Sequence, residues 1–287
     1  MDLGLSDRTV VVTGGASNLG HGIALAYARE GARVVVADID EAQAERTTEL
    51  VRDLGTDAIA VRTDVTDPEQ CAAAVNRACE VFGGVDVLVN NAGVGAGTYG
   101  YFRDYTVEAA QRVMDLNYWG TFHFCRAVIE PMTAAGGGAI VNIGSSVYER
   151  GRADLPVYSS AKAAVVALSR CLALELGPSG IRVNVVAPGF VLPSGVEQIG
   201  RSSTKNTATA FNDYRALATG LAPGGGLLNP EDIAGLVTFL GSHRVARGIT
   251  GKVLVATGGT VFGDEDERLQ TTLEALFPSM SESRTEP

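Results

Sequence analysis

The sequence predicts an α/β protein in which one doubly wound, seven-stranded parallel sheet carries helices on both faces. Short runs rich in β-branched residues alternate with segments of helical periodicity along nearly all of the 287 residues. Most of these runs are continuously apolar rather than alternating, as in strands that are covered on both faces. Repeated strand–helix units favour parallel strands joined by right-handed crossovers.

The strands are expected at seven short apolar runs, at residues 9–13, 33–38, 58–63, 85–90, 139–144, 181–187 and 252–257. Between them, segments such as EAQAERTTELVRDL and EQCAAAVNRACEVFG repeat apolar residues at helical spacing. Asp67 and Asn229 are predicted N-caps, because each has a capping side chain and precedes a proline at the first helical position.

The alternation of strands and helices defines one domain over residues 1–263. Residues 192–228 interrupt it with a stretch rich in Ser, Thr, Gly and Ala. A long insertion after a late strand is more often functional than structurally neutral, so we expect a substrate loop there.

Residues 264–287 contain seven acidic residues and two arginines. This composition predicts an acidic C-terminal tail, for which solvation is favoured over a specific docking role.

Composition and charge exclude several classes of protein. With 46% hydrophobic and 20% charged residues, the chain should fold around a sizeable core. The net charge of −10 argues against a nucleic-acid surface, which needs clustered lysine and arginine. The apolar runs fall short of the ~20 residues of a membrane span, and the first residues show no secretory pattern. We therefore expect no nucleic-acid or membrane partner and a cytoplasmic location.

Cysteine and histidine are sparse and give no metal-binding pattern. Cys71, Cys79, Cys125 and Cys171 show no C-x-x-C pairing and lie in alanine-rich helical surroundings, so we expect them to be small buried apolar residues. The three histidines are widely scattered, which argues against a structural metal site.

The segment TGGASNLGHG, residues 13–22, follows the first predicted strand and enters a helix. In a doubly wound sheet, ligands lie beyond the carboxyl ends of the strands, and the N-terminus of the following helix favours a pyrophosphate. Gly14 and Gly20 permit a tight turn and close approach of a ligand. Asn18 stands where a glycine is expected. Because asparagine tolerates the left-handed region best after glycine, we predict that it keeps the turn.

Asp38 ends the second predicted strand, 18 residues beyond Gly20. A carboxylate at this point can accept hydrogen bonds from the ribose hydroxyls of NAD and would repel the 2′-phosphate of NADP. The alternative role, capping the next helix, fits Asp40 better. The sequence therefore favours NAD over NADP.

Tyr158 and Lys162 lie four residues apart on one predicted helix and therefore project from the same face. A tyrosine with its ordinary pKa near 10 is a poor base at neutral pH, and a neighbouring ammonium favours the phenolate. Ser145 stands thirteen residues before Tyr158 and just after a strand. Its hydroxyl could donate to a substrate carbonyl or orient an alcohol.

Together these motifs closely resemble those of the classical short-chain dehydrogenase/reductases. TGGASNLG, NNAG, LNYWG, IGSS, YSSAK, VNVVAPGFV and GITGKVLVATGG occur in the family's order and spacing over roughly residues 5–263. The resemblance implies a Rossmann-type sheet of seven parallel strands and a nicotinamide cofactor.

The resemblance also implies the role of individual residues. Tyr158 corresponds to the general acid/base and Ser145 to the substrate-polarising hydroxyl. Lys162 corresponds to the residue that binds the nicotinamide ribose and lowers the pKa of the tyrosine. Asn117 corresponds to the asparagine that holds a water for a proton relay. The cofactor contacts implied are Gly14, Ser17, Asn18, Leu19 and Gly20 in the first loop, Asp38 on the ribose, Asp64 and Val65 on the adenine, Asn91, Ala92 and Gly93 beside the adenosine ribose, and Pro188, Gly189 and Val191 on the nicotinamide.

The chain departs from the family pattern at three positions. Asn18 replaces the middle glycine of the first loop. Gly144 stands where a second serine is common. Pro193 stands where a threonine often anchors the nicotinamide amide, a contact for which Ser194 could substitute. None of these changes removes a catalytic group.

The leading hypothesis is an NAD-dependent dehydrogenase or reductase acting on a secondary alcohol or ketone, with Tyr158 as acid/base. One alternative is a nucleotide-binding redox sensor or scaffold without turnover. Another is a cofactor-independent lyase such as a halohydrin dehalogenase. The intact Ser145, Tyr158 and Lys162 set disfavours the first, and the intact nucleotide loop disfavours the second.

Substrate and assembly are less sharply indicated. Apolar and aromatic residues near the site favour a small to medium ring or aryl alcohol. The expected pocket walls are Val147, Tyr148, Glu149, Leu155 and residues 192–228, with Tyr99, Tyr101, Phe102 and Tyr105 more readily explained as packing a helix edge. Glu149 and Arg152 could simply be solvated. The family resemblance implies a homotetramer or homodimer built through helices around residues 115–132 and 158–176.

Overall fold

Seven parallel strands form one sheet in the computed structural model, which describes residues 1–94, 100–192 and 227–258. The order across the sheet is β3-β2-β1-β4-β5-β6-β7. The strands are β1 Thr9–Thr13, β2 Arg33–Asp38, β3 Ala58–Arg62, β4 Val87–Asn90, β5 Gly138–Ile143, β6 Ile181–Pro188 and β7 Val253–Ala256. Each predicted strand is present, with ends within two residues of the prediction, so the predicted fold class is confirmed.

The helices connect successive strands. They are α1 Asn18–Arg29, α2 Glu41–Asp53, α3 Pro68–Phe82, α4 Val107–Met114, α5 Gly120–Ala134, α6 Val147–Arg150, α7 Pro156–Leu176 and α8 Pro230–Gly241. A π-helical turn, Asp115–Trp119, joins α4 to α5. Three-residue 3₁₀ turns occur at Phe102–Asp104 and Gly177–Ser179.

The predicted helix caps are confirmed. The Asp67 carboxylate accepts hydrogen bonds from the backbone N–H groups of Glu69 and Gln70 at the start of α3. Asn229 forms a reciprocal capping box with Asp232 at the start of α8. Asp40 accepts from the backbone N–H of Gln43 and caps α2. The cap of α2 is therefore Asp40, which leaves Asp38 for another role.

The core consists of two layers, one on each face of the sheet. One layer packs α1, α2 and α8 against the strands, and the other packs α3, α5 and α7. Successive side chains of β1 show the division, because Val10 and Val12 belong to the first layer and Val11 to the second. Burial on both faces explains why the strands are continuously apolar in sequence.

The sheet changes winding direction between β1 and β4. β1 pairs with β2 on one side and with β4 on the other, and the loops that leave these strands diverge to opposite faces. The carboxyl ends of two such strands leave a crevice between their loops, which is where doubly wound proteins bind ligands. The loops after β5 and β6 lie along the same edge.

One sequence-based expectation needs correction. Cys71 and Cys125 are buried as predicted, but Cys79 is only half-buried and Cys171 is exposed on α7.

The helix α7 is apolar enough to be mistaken for a membrane span. An 18-residue window within residues 156–179 has a mean hydropathy of 1.3, and among the described residues this is the one helix long and apolar enough to cross a membrane. Half of that window is buried in the fold, as expected of a core helix.

The predicted substrate loop, residues 192–228, falls mostly outside the described residues, as does the acidic tail at 264–287. The two ends of the loop are described. Val191 and Leu228 form a parallel bridge, and the backbone N–H of Leu192 donates to the carbonyl oxygen of Leu228 at 2.7 Å. The two described ends of the segment therefore lie side by side, next to the carboxyl end of β6.

Candidate active site

A cleft of about 430 Å³ opens at the carboxyl edge of the sheet, over the crevice between β1 and β4. It collects residues from loops that are far apart in sequence. The predicted site residues that line it are Gly14, Ser17, Asn18, Leu19, Gly20, Asp38, Asn91, Ala92, Gly93, Ser145, Tyr158, Lys162, Pro188, Gly189 and Val191.

The first loop has the geometry that its glycines and asparagine predict. Gly14 and Asn18 both adopt left-handed backbone conformations, with φ of +61° and +49°. At Gly20, a Cβ atom would overlap the carbonyl oxygen of Gly14, so only glycine fits there. Asn18 therefore keeps the turn, and the N-terminus of α1 faces the cleft with its backbone N–H groups directed outward.

The loop after β4 is tied to the first loop through Thr13 and Asn91. The Asn91 side-chain amide donates to the carbonyl oxygens of Thr13 and Gly14, at 3.0 and 3.1 Å. The backbone N–H groups of Asn91 and Ala92 donate to the Thr13 hydroxyl, both at 3.0 Å. These bonds fix the two loops as one surface. The role of Thr13 was missed from the sequence, where it only ends an apolar strand.

Asp38 contacts the first loop with its carboxylate. Oδ2 accepts a hydrogen bond from the backbone N–H of Ala16 and Oδ1 accepts one from that of Asp40, each at 3.0 Å. An ionised carboxylate has roughly four acceptor sites, so both oxygens keep capacity for a further donor. Asp38 thus orders the loop and presents a negative charge to the cleft.

Ser145, Tyr158 and Lys162 meet in the cleft from two elements. Ser145 follows β5, while Tyr158 and Lys162 lie one turn apart on α7. Lys162 Nζ donates to the carbonyl oxygen of Ile143 at 2.9 Å and lies 5.7 Å from the centroid of the Tyr158 ring. The lysine is 4% exposed, and burial lowers its pKa to about 8. The three groups that the sequence singled out are therefore brought together.

Asn117 lies behind this group in the π-helical turn, fully buried. Its amide Nδ2 donates to the carbonyl oxygens of Val113 and Val94, at 3.0 and 3.2 Å. Its Oδ1 has no hydrogen-bond partner among the described residues. A Cβ on Gly93 would lie 2.6 Å from this oxygen and 3.2 Å from Lys162 Nζ. A side chain at position 93 would therefore crowd both the Asn117 amide oxygen and the Lys162 ammonium, so a glycine is needed there.

The loop after β6 is held on both sides. The carbonyl oxygen of Pro188 accepts from the backbone N–H of Ser146 at 2.9 Å, and the N–H of Gly189 donates to Ala256 at 2.8 Å. A Cβ on Gly189 would lie 3.0 Å from Thr257 Cα. Pro188, Gly189 and the loop after β5 are therefore fixed relative to each other.

Asp64 and Val65 do not line the described cleft, unlike the other predicted cofactor contacts. The Asp64 carboxylate accepts from the backbone N–H and hydroxyl of Thr66, at 2.9 and 2.7 Å. The Val65 side chain is buried against Gly120 of α5, where a Cβ would lie 2.8 Å from Val65 Cγ2. Their predicted role at the adenine is not supported by this cleft and stays a prediction.

The expected pocket walls also differ in part from the described cleft. Val147 and Leu155 are buried, Glu149 is exposed and none of them lines it. The alternative that Arg152 is solvated is wrong, because the residue is buried in an ion pair with Asp154. Tyr99, Pro193 and Ser194 lie outside the described residues. Additional lining residues, each within two positions of a predicted one, are Ile39, Leu116, Ile143 and Gly144.

Comparisons with known proteins agree on the family. Residues 14–261 match the family model described as enoyl-(acyl carrier protein) reductase. The chain is 38% identical over 254 residues to cis-4-hydroxycyclohexanecarboxylate dehydrogenase of Sinomonas cyclohexanicum, covering 88% of this chain and 96% of the relative. It is also 38% identical over 259 residues to 3-alpha-(or 20-beta)-hydroxysteroid dehydrogenase of Mycobacterium tuberculosis, covering 90% and 91%.

Solved structures give the same result. A 7 alpha-hydroxysteroid dehydrogenase complexed with NADH and 7-oxo glycochenodeoxycholic acid matches with a TM-score of 0.80 and 32% identity, over 91% of this chain and 97% of that one. L-sorbose reductase from Gluconobacter frateurii, complexed with NADPH and L-sorbose, matches with a TM-score of 0.85 and 29% identity, over 92% and 100%. The chain belongs to the short-chain dehydrogenase/reductase family. The relatives named above are oxidoreductases that act on alcohol groups, and this chain is an oxidoreductase of the same class.

Proposed function

We propose that this enzyme interconverts a secondary alcohol and its ketone with NAD, in preference to NADP, and that Tyr158 is the acid/base. The observation that carries the proposal is that Ser145, Tyr158 and Lys162 line the same cleft as the first loop, which follows β1. The assay is reduction of NAD by a panel of secondary alcohols, followed at the absorbance of NADH. Absence of turnover across the panel in either direction would contradict the proposal.

The residues present fit a nicotinamide dinucleotide. Gly14 and Gly20 form a turn into which no side chain fits at position 20, and the N-terminus of α1 is suited to a pyrophosphate. When bound, the cofactor supplies the hydride acceptor or donor. The residues proposed to hold it are those of the first loop, Gly14, Ser17, Asn18, Leu19 and Gly20, with Asp38, Asn91, Ala92, Gly93, Tyr158, Lys162, Pro188, Gly189, Val191 and, beyond the described cleft, Asp64 and Val65.

The preference for NAD follows from the charge of Asp38. Its carboxylate faces the cleft and has acceptor capacity beyond the bonds from Ala16 and Asp40. It suits ribose hydroxyls as donors and repels a phosphate on the same ribose. The relatives include complexes with NADH and with NADPH, so the comparison does not choose between the cofactors, and a binding titration with both is the test.

Four side chains share the transfer of the hydroxyl proton, each with a different role. The Tyr158 phenolate takes the hydroxyl proton of an alcohol, or the phenol returns it to a ketone oxygen. The Lys162 ammonium, held by the carbonyl oxygen of Ile143, favours the phenolate electrostatically. The Ser145 hydroxyl donates to the substrate oxygen and fixes its position. Asn117 presents a buried acceptor on the far side of Lys162, where a water would continue the proton path.

The substrate class proposed is a secondary alcohol on a ring. Two of the relatives are named for a cyclohexane carboxylate and a steroid, while others are named for galactitol and sorbose. A panel of cyclohexanols, hydroxysteroids and sugar alcohols therefore covers the named chemistries. Because the family model carries the name of an enoyl reductase, an enoyl thioester with NADH belongs in the same panel.

The competing hypotheses make different predictions for cofactor and turnover. A redox sensor would bind NADH without turning over any alcohol in the panel. A halohydrin dehalogenase would act without NADH and release halide. The relatives named as dehydrogenases favour neither.

Three further properties belong to the proposal. The domain comprises residues 1–263, with 192–228 as a substrate loop and 264–287 as a tail. The enzyme is a homotetramer or homodimer built through α7, where Leu174 is 82% exposed, and through α5 with the π-helical turn before it, where Trp119 is 39% exposed. Its location is the cytoplasm. Sedimentation velocity of the full chain tests the assembly, and cell fractionation tests the location.

A further inference from the structure

A buried ion pair lies just before the helix that carries Tyr158. Arg152 and Asp154 are two residues apart in the segment between α6 and α7, and their side chains are 4% and 3% exposed. The guanidinium contacts both carboxylate oxygens, Nε with Oδ1 at 2.9 Å and Nη2 with Oδ2 at 2.5 Å. A two-point contact of this kind fixes the relative orientation of both groups.

The same two residues contact two other loops at this edge of the sheet. Arg152 Cζ lies 5.8 Å from the centroid of the Phe190 ring, and Phe190 directly follows Pro188 and Gly189, which line the cleft. The backbone carbonyl of Asp154 accepts from the N–H of Gly100, between β4 and α4, at 3.0 Å. The pair therefore connects the segments that follow β4, β5 and β6.

The pair is also joined directly to the first turn of α7. The carbonyl oxygen of Arg152 accepts from the N–H of Leu155 at 3.0 Å, and that of Leu155 accepts from the N–H of Ser159 at 2.9 Å. Leu155 is the residue from which α7 begins, and Tyr158 follows Asp154 by four residues. A rotation of this segment would move the phenol.

We propose that the Arg152–Asp154 pair positions Tyr158, by fixing the start of α7 against the loop after β6. The Asp154 carboxylate compensates the charge of the Arg152 guanidinium inside the fold. Because removal of either side chain breaks the two-point contact and leaves the other charge buried, both residues are needed to hold the segment in one arrangement. This inference rests on the proposed role of Tyr158 as acid/base.

The test uses four variants of the full-length enzyme. Arg152→Met and Asp154→Leu each leave one buried charge, and the Arg152→Met/Asp154→Leu double variant removes both. Arg77→Met breaks the exposed Arg77–Glu80 pair on α3 and is the control. The measurements are kcat and KM for a secondary alcohol that the wild type oxidises, Kd for NADH by fluorescence, and the melting temperature.

A positioning role predicts that stability and turnover separate in the double variant. Each single variant should lose both melting temperature and kcat. The double variant should regain most of the melting temperature, since replacing both charges by apolar groups is tolerated. Its kcat should stay roughly tenfold to a hundredfold below the wild type, because small misplacement of a reacting group is costly, with Kd for NADH within about threefold. Arg77→Met should change none of these quantities.

Recovery of both kcat and melting temperature in the double variant would overturn the proposal. If the double variant does not fold, Arg152→Lys decides, because it keeps the charge but not the planar fork. It should lower kcat per NADH-binding site, and an unchanged kcat would equally overturn the proposal. Tyr158→Phe, assayed in parallel, separates the two inferences, since full activity of that variant would refute the role of Tyr158 itself.

Discussion

Lys162 Nζ donates a hydrogen bond to the backbone carbonyl oxygen of Ile143 at 2.9 Å. The bond joins α7 to the end of β5, two residues before Ser145, and holds the ammonium beside the Tyr158 ring. The lysine is therefore positioned by the backbone of the sheet rather than by solvent. Burying an ammonium without a carboxylate favours its neutral form, which gives this residue a measurable effect on stability.

Stability should depend on pH through Lys162. Its pKa of about 8 in the folded protein lies below the ordinary value of 10.5, so the unfolded chain binds the proton more tightly. The free energy of unfolding should therefore rise with pH between these two values. Relative to Lys162→Met, the wild type should gain roughly 2 kcal/mol from pH 7 to pH 10. Urea denaturation of both proteins measures it, and a difference that stays constant with pH would contradict the burial.

Tyr158→Phe should lower kcat by at least a hundredfold, on the order of a general acid–base contribution. The change removes only the hydroxyl and keeps the ring, so the melting temperature should stay close to the wild type and Kd for NADH should change far less than kcat. Tyr118→Phe is the control, because Tyr118 is half-buried and does not line the cleft. Near-normal turnover by Tyr158→Phe would remove the residue from the mechanism.

Asp38→Asn should shift cofactor selectivity toward NADP by at least about tenfold, which corresponds to about 1.4 kcal/mol. The amide loses the charge that repels a 2′-phosphate but keeps an oxygen for the backbone N–H of Ala16 or Asp40. Titrations of NADH and NADPH with both proteins give the ratio. Asp40→Asn is the control, because it tests whether the loss of any nearby negative charge shifts the ratio of the two affinities. It caps α2 and should leave the ratio unchanged.

Gly20→Ala should impair both folding and cofactor binding. The added methyl would overlap the carbonyl oxygen of Gly14, and relieving the overlap should cost about 1–3 kcal/mol of stability and displace the first loop. Gly84→Ala is the control, since no atom lies within 4 Å of a Cβ at that position. Equal melting temperatures and NADH affinities for the two variants would show that the loop can adjust freely.

The sheet and most of the cleft could be predicted from the sequence because local rules determine them. Continuous apolar runs located the strands, and the tolerance of asparagine for positive φ predicted the conformation of Asn18. Other features depend on contacts between distant segments. Arg152 is buried beside Phe190 from the loop after β6, whereas charge in a loop is more often solvated. The π-helical turn that directs Asn117 behind Gly93 has no local sequence signal.

The bridge between Val191 and Leu228 has a consequence for the design of variants. Both ends of the intervening segment are anchored at one place, so its length is decoupled from the geometry of the sheet. The entropy of closing such a loop grows only with the logarithm of its length. These two positions are therefore suited as junctions for exchanging the segment with those of relatives, because the bridge fixes both junctions beside β6.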